Sequence, residues 1–160
     1  MVINQEYFAV ELASEIVLGL PLNEMTTVAQ FEIQNICPVP GVASFWYGVV
    51  SFKGSLLWIL DSDRFFDLQP KRQKLPQKLT AVIVKNRLSS SNKQVAIATQ
   101  QLRGIVAVAP ANFKPLSERA SPQLRLCCST MAYTETQNLH IVDSAALLQQ
   151  LHQQSMLVST

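Results

Sequence analysis

The sequence has few charged residues and no long apolar stretch, and each shortage excludes a class of protein. Charged residues make up only 15% of the 160 residues, against roughly 25% in an average domain. A surface with so few charges is typical of one that a partner covers. The apolar runs fall far short of the roughly 18 residues that span a membrane, and the N-terminus lacks a basic segment followed by an apolar one. We therefore expect a cytoplasmic protein without direct membrane insertion.

Residues that carry chemistry are also sparse. The three cysteines, Cys37, Cys127 and Cys128, form no CxxC pair, so the metal-ligand spacing of cysteine sites is missing. The two histidines, His140 and His152, have no serine or cysteine beside them in a nucleophile motif. The sequence predicts free thiols, no metal, no cofactor and no catalytic residue. A redox or metal role for the adjacent cysteines and a small-molecule hydrolase are the weakest alternatives.

Short β runs separated by turn residues dominate the chain. They predict nine or ten strands and little helix, which is typical of sandwiches and small closed barrels. Two exceptions are a helical turn over 21–28, where Leu22, Met25 and Val28 recur every three residues, and a helix over 143–154. The predicted fold class is all-β with short helices and a C-terminal helix. Further strands are predicted at 31–36, 80–85, 95–99, 104–109, 125–132 and 139–142.

The stretch YGVVSFKGSLLWILDSDRFF (47–66) predicts a β-hairpin followed by a short helix. Glycine tolerates the positive φ that a two-residue turn requires, so Lys53 and Gly54 form the expected turn. Asp61, directly after the second strand, is a favourable N-cap. Lys53 is then either a solvated turn residue or a cation that faces a partner.

A weak internal repeat relates the two halves of the chain. At one constant offset Asp61 corresponds to Asp143 and Leu57 to Leu139. This predicts one domain over 1–160 with two copies of a strand, hairpin and capped-helix unit, at approximately 7–67 and 79–151. Exchange of strands between the copies is left open, and chance similarity of apolar strands is the alternative.

The chain resembles the CheW-like domain of bacterial chemotaxis in three stretches, LGLPLNEMTTV (18–28), PVPGVASFWYGVVSFKG (38–54) and LLWILDSDRFF (56–66). The family pattern is an aliphatic run around a proline, then Pro-Gly, an aromatic, Gly-Val, Asn-Leu-Arg-Gly and a strand that ends in Asp-Leu. The matching positions are Leu20, Pro21, Leu22, Met25, Val28, Pro40, Gly41, Gly48, Val49, Gly54 and Asp61.

The resemblance implies two five-stranded SH3-like barrels and no enzymatic activity. It implies a scaffold adaptor that couples the cytoplasmic tip of a chemoreceptor-type (methyl-accepting) protein to the regulatory domain of a CheA-type histidine kinase. Such two-component signalling would control motility by chemotaxis, phototaxis or pilus-driven movement. It also implies recruitment of a cytoplasmic protein to membrane-associated receptor arrays.

Two positions depart from the family pattern. The family's Asn-Leu-Arg-Gly is Ser51-Phe52-Lys53-Gly54 here, and lysine keeps the charge of arginine but lacks its planar fork of donors. The family often has an acidic residue near Met25 and Val28, and this chain has Thr27 there. Both changes suggest a specialised receptor partner, as in phototaxis or pilus arrays.

The candidate receptor- or kinase-binding residues belong to the hairpin tip, the apolar stripe and the aromatic pair that opens the hairpin. They are Phe52, Lys53, Gly54, Met25, Thr27, Val28, Trp46 and Tyr47. For Met25 and Val28 the alternatives are the core of a short helix and a groove that accepts a receptor helix. For Trp46 the alternatives are a core or lobe-interface residue and a partner contact.

A nucleic-acid-binding module is the alternative function. Residues 1–75 carry a net charge of −3 and residues 76–160 one of +5, and small barrels often bind single strands. Against this, the total charge of +2 is small, and the basic residues do not alternate with aromatics on one recognisable face. We therefore expect no nucleic-acid partner.

Overall fold

The computed structural model describes residues 3–69, 76–85 and 94–158. Short strands make up about half of these residues, and the rest include three α-helices and several single 3-10 turns. The strands are β1 (Gln5–Glu11), β2 (Val17–Pro21), β3 (Met25–Glu32), β4 (Trp46–Phe52), β5 (Ser55–Leu60), β6 (Lys78–Lys85), β7 (Gln94–Thr99), β8 (Gln101–Val108), β9 (Phe113–Lys114), β10 (Cys128–Tyr133) and β11 (Asn138–Val142). The helices are α1 (Ser62–Phe65), α2 (Pro122–Cys127) and α3 (Ser144–Val158). The predicted fold class, with its C-terminal helix, is confirmed.

The strands form two sheets. Sheet 1 has the order β8-β1-β2-β11-β10-β9, and sheet 2 has the order β3-β6-β7-β5-β4. Neighbouring strands are antiparallel except for the pairs β11–β2 and β5–β7, which are parallel. The chain therefore starts in sheet 1, builds all of sheet 2 and returns to sheet 1. Each predicted half, 7–67 and 79–151, gives strands to both sheets, while its origin as a copied unit stays a prediction.

Each sheet curls around apolar side chains of its own. In sheet 2 the two edge strands come together: the ring of Phe31 on β3 contacts the ring of Phe52 on β4 edge to face, with 5.9 Å between the ring centres. In sheet 1 the rings of Tyr7 on β1 and Phe113 on the edge strand β9 pack the same way at 6.1 Å. The two predicted barrels are therefore present, and the two-residue β9 adds a sixth strand to sheet 1.

A third apolar cluster, here the central core, lies between the two sheets and joins them. Sheets 1 and 2 both give it fully buried side chains, and all three helices add buried side chains to it. Its most buried members are Val10, Leu12, Leu18, Leu20, Leu60, Phe65, Phe66, Val82, Val84, Ile97, Leu124, Cys127, Val142, Leu147 and Leu151. Each barrel buries its share of the central core only by packing against the other barrel. We therefore expect the two barrels to fold as one cooperative unit.

The predicted helical turn over 21–28 is wrong. Only Leu22–Glu24 form a 3-10 turn, and β3 begins at Met25. The β-branched pair Thr27 and Val28 favours the strand. Met25, Thr27 and Val28 are therefore strand residues that pair with β6.

Two other predicted boundaries need correction. The strand predicted over 125–132 begins only at Cys128, because Ser121 caps α2 by accepting a hydrogen bond from the Leu124 backbone N–H at 3.3 Å. Pro122 stands at the first position of that helix, where its fixed φ is favourable. The strand predicted over 31–36 ends at Glu32 and continues as a 3-10 turn.

Both predicted N-caps are confirmed. Asp61 Oδ1 accepts a hydrogen bond from the Arg64 backbone N–H at 3.2 Å, and Asp143 Oδ1 accepts one from the Ala146 backbone N–H at 3.1 Å. These contacts satisfy donors that the first turn of a helix leaves open. In the described ranges, none of the helices is long and apolar enough to cross a membrane.

Candidate functional site

The hairpin of β4 and β5 has a two-residue turn at its tip. Phe52 pairs with Ser55 at the last rung of the ladder. Lys53 and Gly54 both have positive φ, 49° and 82°, as a type I′ turn requires. An added Cβ at Gly54 would meet no atom within 4 Å, so this glycine serves the backbone conformation rather than a close contact.

Lys53 presents an unneutralised cation at this tip. The residue is exposed, and its Nζ lies 5.3 Å from the centre of the Phe52 ring, a distance at which a cation and a ring attract each other. Phe52 is itself held against Phe31. Among the described residues, the ion pairs join Arg64 to Asp61 and Arg103 to Glu11, and neither involves Lys53.

The aromatic pair at the start of β4 lies elsewhere and packs inward. Trp46 Nε1 donates a hydrogen bond to Ser155 Oγ on α3 at 3.0 Å, and its ring lies 5.4 Å from that of Trp58. Tyr47 occupies an irregularity in the β4–β5 register and packs on the core of sheet 2. Helix α3 begins directly after β11 of sheet 1. The hydrogen bond to Ser155 therefore connects its C-terminal part to sheet 2.

Met25 and Val28 lie where the two sheets meet. Both are half-buried and pack on the central core, as does Phe8 of β1. We call Phe8, Met25 and Val28 the seam rim. Thr27, between the two, donates its hydroxyl to the Val28 carbonyl at 3.3 Å. The hairpin tip meets β3 at Phe31, whereas Met25 lies at the opposite end of β3 and pairs with Val84, so the seam rim and the hairpin tip are two distinct places.

Two strongly exposed apolar side chains adjoin these places and were missed from the sequence. Leu56, on β5 next to the tip, is 73% exposed, and Ile105 on β8 is 63% exposed. Ile105 pairs with Phe8, so both side chains lie on one face of sheet 1. Leu57 and Ile59 point inward. Because side chains alternate along a strand, residue 56 must then point outward, and this alternation is the signal that identifies Leu56.

Two polar clefts flank sheet 1. One, of about 620 Å³, is lined by Glu11, Glu15, Val17, Arg103, Met131, Thr136, Gln137, Asn138 and His140. In it Arg103 Nε donates to Glu11 Oε2 at 3.0 Å. The other, of about 660 Å³, includes Tyr7, Glu24 and Asp143, and burial together with the nearby Glu24 charge raises the pKa of Tyr7.

The two adjacent thiols, Cys127 and Cys128, are free and buried. Burial, and secondarily the Asp143 charge, raises the pKa of Cys127 to about 12, and burial also raises the pKa of Cys128. Thiols in that state stay protonated and are poor nucleophiles and ligands. Across the described ranges no group of three or more His, Cys, Asp and Glu residues could hold a metal ion.

We expect His140 to make the stability of the fold depend on pH. Burial lowers its pKa, against an opposing contribution from the Val17 backbone, and its Nδ1 is buried without a hydrogen-bond partner. The unfolded chain therefore binds this proton at higher pH than the folded chain does. We expect the free energy of unfolding to fall as pH drops through about 6.5 toward the lowered pKa.

Urea unfolding at pH 7.5 and at pH 5.5, for the wild type and His140→Gln, checks this prediction. The loss of stability on acidification should be smaller in the variant, because all other titrating groups are shared. An equal loss in both proteins would contradict a protonation penalty at His140.

The comparisons with known proteins agree with this architecture. The model of the CheW-like domain family matches residues 6–152. The crystal structure of the scaffolding protein TtCheW from Thermoanaerobacter tengcongensis superposes with a TM-score of 0.72 at 15% identity, over 88% of this chain and 90% of that one. At this identity the likeness shows the fold alone, the CheW fold of two SH3-like barrels. No curated protein matches the sequence.

The family match covers nearly the whole described chain. It includes strands of both sheets, the hairpin with its Lys-Gly tip, the seam rim and most of α3. The chain therefore belongs to the CheW-like family of scaffold proteins.

Proposed function

We propose that this protein is a non-enzymatic adaptor in motility signalling. It couples the cytoplasmic tip of a methyl-accepting, chemoreceptor-type protein to the regulatory domain of a CheA-type histidine kinase. It works from the cytoplasm, recruited to receptor arrays at the membrane, and serves a chemotaxis, phototaxis or pilus-motility pathway.

The observation that carries the proposal is the family match over residues 6–152. Within it, Lys53 stands at the tip position where the family pattern has arginine. Family membership supports a scaffold role, and TtCheW, which shares the fold, is itself a scaffolding protein.

Two separate surfaces suit an adaptor. The seam rim offers half-buried apolar side chains between the sheets, which fits the apolar stripe of a partner helix. The hairpin tip offers a cation on a rigid turn. The tip adjoins Phe31, and the seam rim includes Met25 at the opposite end of the same strand, so we expect one partner at each surface to leave the other surface accessible.

The decisive experiment is reconstitution of a ternary complex. The full chain, a cytoplasmic fragment of the cognate receptor and the regulatory domain of the cognate kinase are purified and mixed. We expect each partner to bind alone and all three to elute together in size-exclusion chromatography. The absence of a ternary complex with the cognate partners would refute the adaptor proposal.

Reversing the charge at the tip should weaken receptor binding without unfolding the protein. We expect Lys53→Glu to lower receptor affinity about tenfold, roughly 1.4 kcal/mol, because attraction to a carboxylate becomes repulsion. The melting temperature should stay within about 2 °C, since an exposed residue outside any ion pair contributes little to folding. Calorimetric titration and thermal unfolding measure both quantities.

Lys114→Glu is a matched control for that variant. Lys114 is also exposed and also lies 5.3 Å from an aromatic ring, that of Tyr133, but it stands on β9 in sheet 1. Its reversal should leave receptor affinity unchanged. A large loss of stability in Lys53→Glu alone would instead make Lys53 a structural residue.

The nucleic-acid alternative has less support. Arg103 and Arg64 pair with carboxylates, and Arg125 donates to loop carbonyls, among them that of Ala120 at 3.3 Å. Each of these three cations therefore already has a partner within the chain. A salt-dependent shift of a single-stranded oligonucleotide by the protein would revive this alternative.

A further inference from the structure

One buried carboxylate joins the two sheets at a single junction. Asp63 on α1 is only 9% exposed, and among the described residues no other charged residue is buried. Its Oδ1 accepts a hydrogen bond from the Ala13 backbone N–H at 2.7 Å, and its Oδ2 accepts one from Gln100 Nε2 at 3.3 Å. Helix α1 follows β5 of sheet 2, whereas Ala13 follows β1 of sheet 1. The carboxylate therefore holds three separate segments of the chain together.

The junction lies where the chain crosses from sheet 2 to sheet 1. Gln100 alone connects β7, which ends at Thr99, to β8, which begins at Gln101. A one-residue connection leaves two backbone dihedrals about which the sheets can turn relative to each other. Gln100 donates its backbone N–H to the Glu11 carbonyl at 2.9 Å and its side-chain amide to Asp63. Both hydrogen bonds restrict rotation at this crossing.

The turn that meets the carboxylate is strained. After Ala13, both Ser14 and Glu15 have positive φ, 59° and 60°, a region that residues other than glycine seldom occupy. Such conformations persist where the surrounding contacts determine them. Ala13 is itself buried, so removal of Asp63 would leave its N–H buried without this acceptor. The contact with α1 therefore helps to fix the end of β1.

The strand that ends at this junction also carries one side of the seam rim. Glu11, the last residue of β1, pairs with Gln101 beside the crossing. Phe8 is three residues from this end of β1, which is about 10 Å along a strand. Met25 and Val28, the other members of the seam rim, belong to sheet 2. The spacing across the seam rim therefore depends on how β1 is set against sheet 2.

We infer that Asp63 is a positioning residue for the seam rim, and this inference rests on the proposed function. By holding the end of β1 and the Gln100 crossing against α1, Asp63 sets the distance between Phe8 and the sheet 2 side of the seam for the helix of the partner that docks there. Apolar packing in the central core is non-directional and tolerates small shifts of one sheet on the other. Hydrogen bonds are directional, and a satisfied buried polar network specifies one arrangement.

The test compares variants of the full chain that keep or remove the acceptor. Asp63→Ala removes both acceptor oxygens. Asp63→Asn keeps one oxygen for the Ala13 N–H, and the Gln100 amide can turn to offer its own oxygen to the new amide group. The control Ile83→Val removes one methylene from the separate core of sheet 2, so it lowers stability away from the junction. Val28→Asp places a charge on the seam rim and identifies the partner that binds there.

Three measurements on the free protein report the junction itself. Residual dipolar couplings of backbone amides give the angle between sheets 1 and 2, which we expect to change in Asp63→Ala but not in Asp63→Asn or Ile83→Val. Amide hydrogen exchange at Ala13 should be about tenfold faster in Asp63→Ala, because a buried N–H has lost its acceptor. The melting temperature should fall by roughly 5 °C in Asp63→Ala and roughly 3 °C in Ile83→Val.

Binding is measured with the cognate receptor fragment and the kinase regulatory domain as separate probes, at a temperature where every variant is folded. We expect Asp63→Ala to weaken the same partner that Val28→Asp weakens, by about fivefold, because fewer molecules hold the seam at the spacing that the helix needs. The affinity for the other partner should not change. Asp63→Asn should bind within about twofold of the wild type, because it keeps the bond to Ala13. Ile83→Val should bind both partners like the wild type.

Other results separate this inference from the proposed function. If Asp63→Ala leaves either the sheet angle or the affinities unchanged, Asp63 is a structural contact only, and the inference is wrong while the adaptor proposal stands. If it weakens both partners in the same proportion, or if Ile83→Val weakens them as much, lost stability explains the effect and the inference is again wrong. If the wild type binds neither partner, the adaptor proposal fails, and the role of Asp63 at the seam fails with it.

Discussion

We expect Gly48→Ala to destabilise the protein by about 3–5 kcal/mol. Gly48 has a φ of +142°, and a Cβ added there would lie 2.2 Å from the Cys37 carbonyl oxygen and 2.7 Å from its carbon. Cys37 and Val49 exchange two backbone hydrogen bonds, of 2.8 and 2.9 Å, at this close approach. Alanine must therefore accept a strained φ and also push the Cys37 segment away from β4.

The magnitude follows from three contributions. A non-glycine residue in a sparsely populated backbone region costs about 1–3 kcal/mol. Overpacking against atoms that cannot rotate away costs about 1–3 kcal/mol more. If the segment moves to relieve the clash, the two hydrogen bonds with Val49 weaken at about 1 kcal/mol each. Since small domains are stable by only about 5–15 kcal/mol, a large share of the total is lost.

Gly41→Ala is the control that separates conformation from contact. Gly41 also has a positive φ, +82°, but an added Cβ would meet nothing within 4 Å. We expect this variant to lose only about 1 kcal/mol. Urea unfolding of both variants measures the difference. Equal losses would contradict the close approach of Cys37 to β4.

This geometry gives a physical reason for one element of the family pattern. Gly48 and Val49 match the Gly-Val of the CheW-like sequence pattern. In the fold, Gly48 is the position at which the Cys37 backbone reaches β4, and Val49 is the residue that pairs with it. In this chain, Gly48 and Val49 therefore serve a close backbone contact.

Features set by neighbouring residues could be predicted from the sequence. The Lys-Gly turn, the N-caps Asp61 and Asp143 and the helix that ends the chain each depend on interactions within four residues. These local signals agree with one another, which is why the hairpin unit was recognisable.

The helical turn predicted over 21–28 failed because a bulge imitates a helical period. In a regular strand, residues three apart point to opposite faces. Between Met25 and Thr27 the register shifts by one residue, so Met25 pairs with Val84 and Val28 with Val82. Val82 and Val84 share a face of β6, so Met25 and Val28 do as well. A single sequence cannot distinguish this from the spacing of an amphipathic turn.

The arrangement of the candidate site could not be predicted, because it depends on which distant strands pair. The parallel pairs β5–β7 and β2–β11 and the return of the chain to sheet 1 place Met25 at the seam and Lys53 at a separate tip. No local signal records these pairings. The candidate residues, chosen as a group by resemblance, therefore fall into three places: the hairpin tip, the seam rim and the aromatic pair that packs against α3.

Phe66→Ala should remove about 3–5 kcal/mol of stability and should weaken both barrels together. Phe66 is fully buried in the central core, its ring packs edge to face on Phe65 at 5.0 Å, and its carbonyl accepts a hydrogen bond from the Ser121 hydroxyl at 3.1 Å. Truncation of a buried phenylalanine loses its transfer free energy and leaves a cavity. The cavity opens between the sheets rather than inside one of them.

The shape of the unfolding transition tests that placement. Tryptophan fluorescence follows sheet 2, which holds Trp46 and Trp58, whereas far-ultraviolet circular dichroism follows the whole chain. We expect both signals to shift to lower urea together in Phe66→Ala, because sheets 1 and 2 share the core that was damaged. Leu56→Ala, at an exposed position, should change the free energy of unfolding from either signal by no more than about 0.5 kcal/mol. Separate midpoints for the two signals would mean that the barrels are independent and that the central core does not join them.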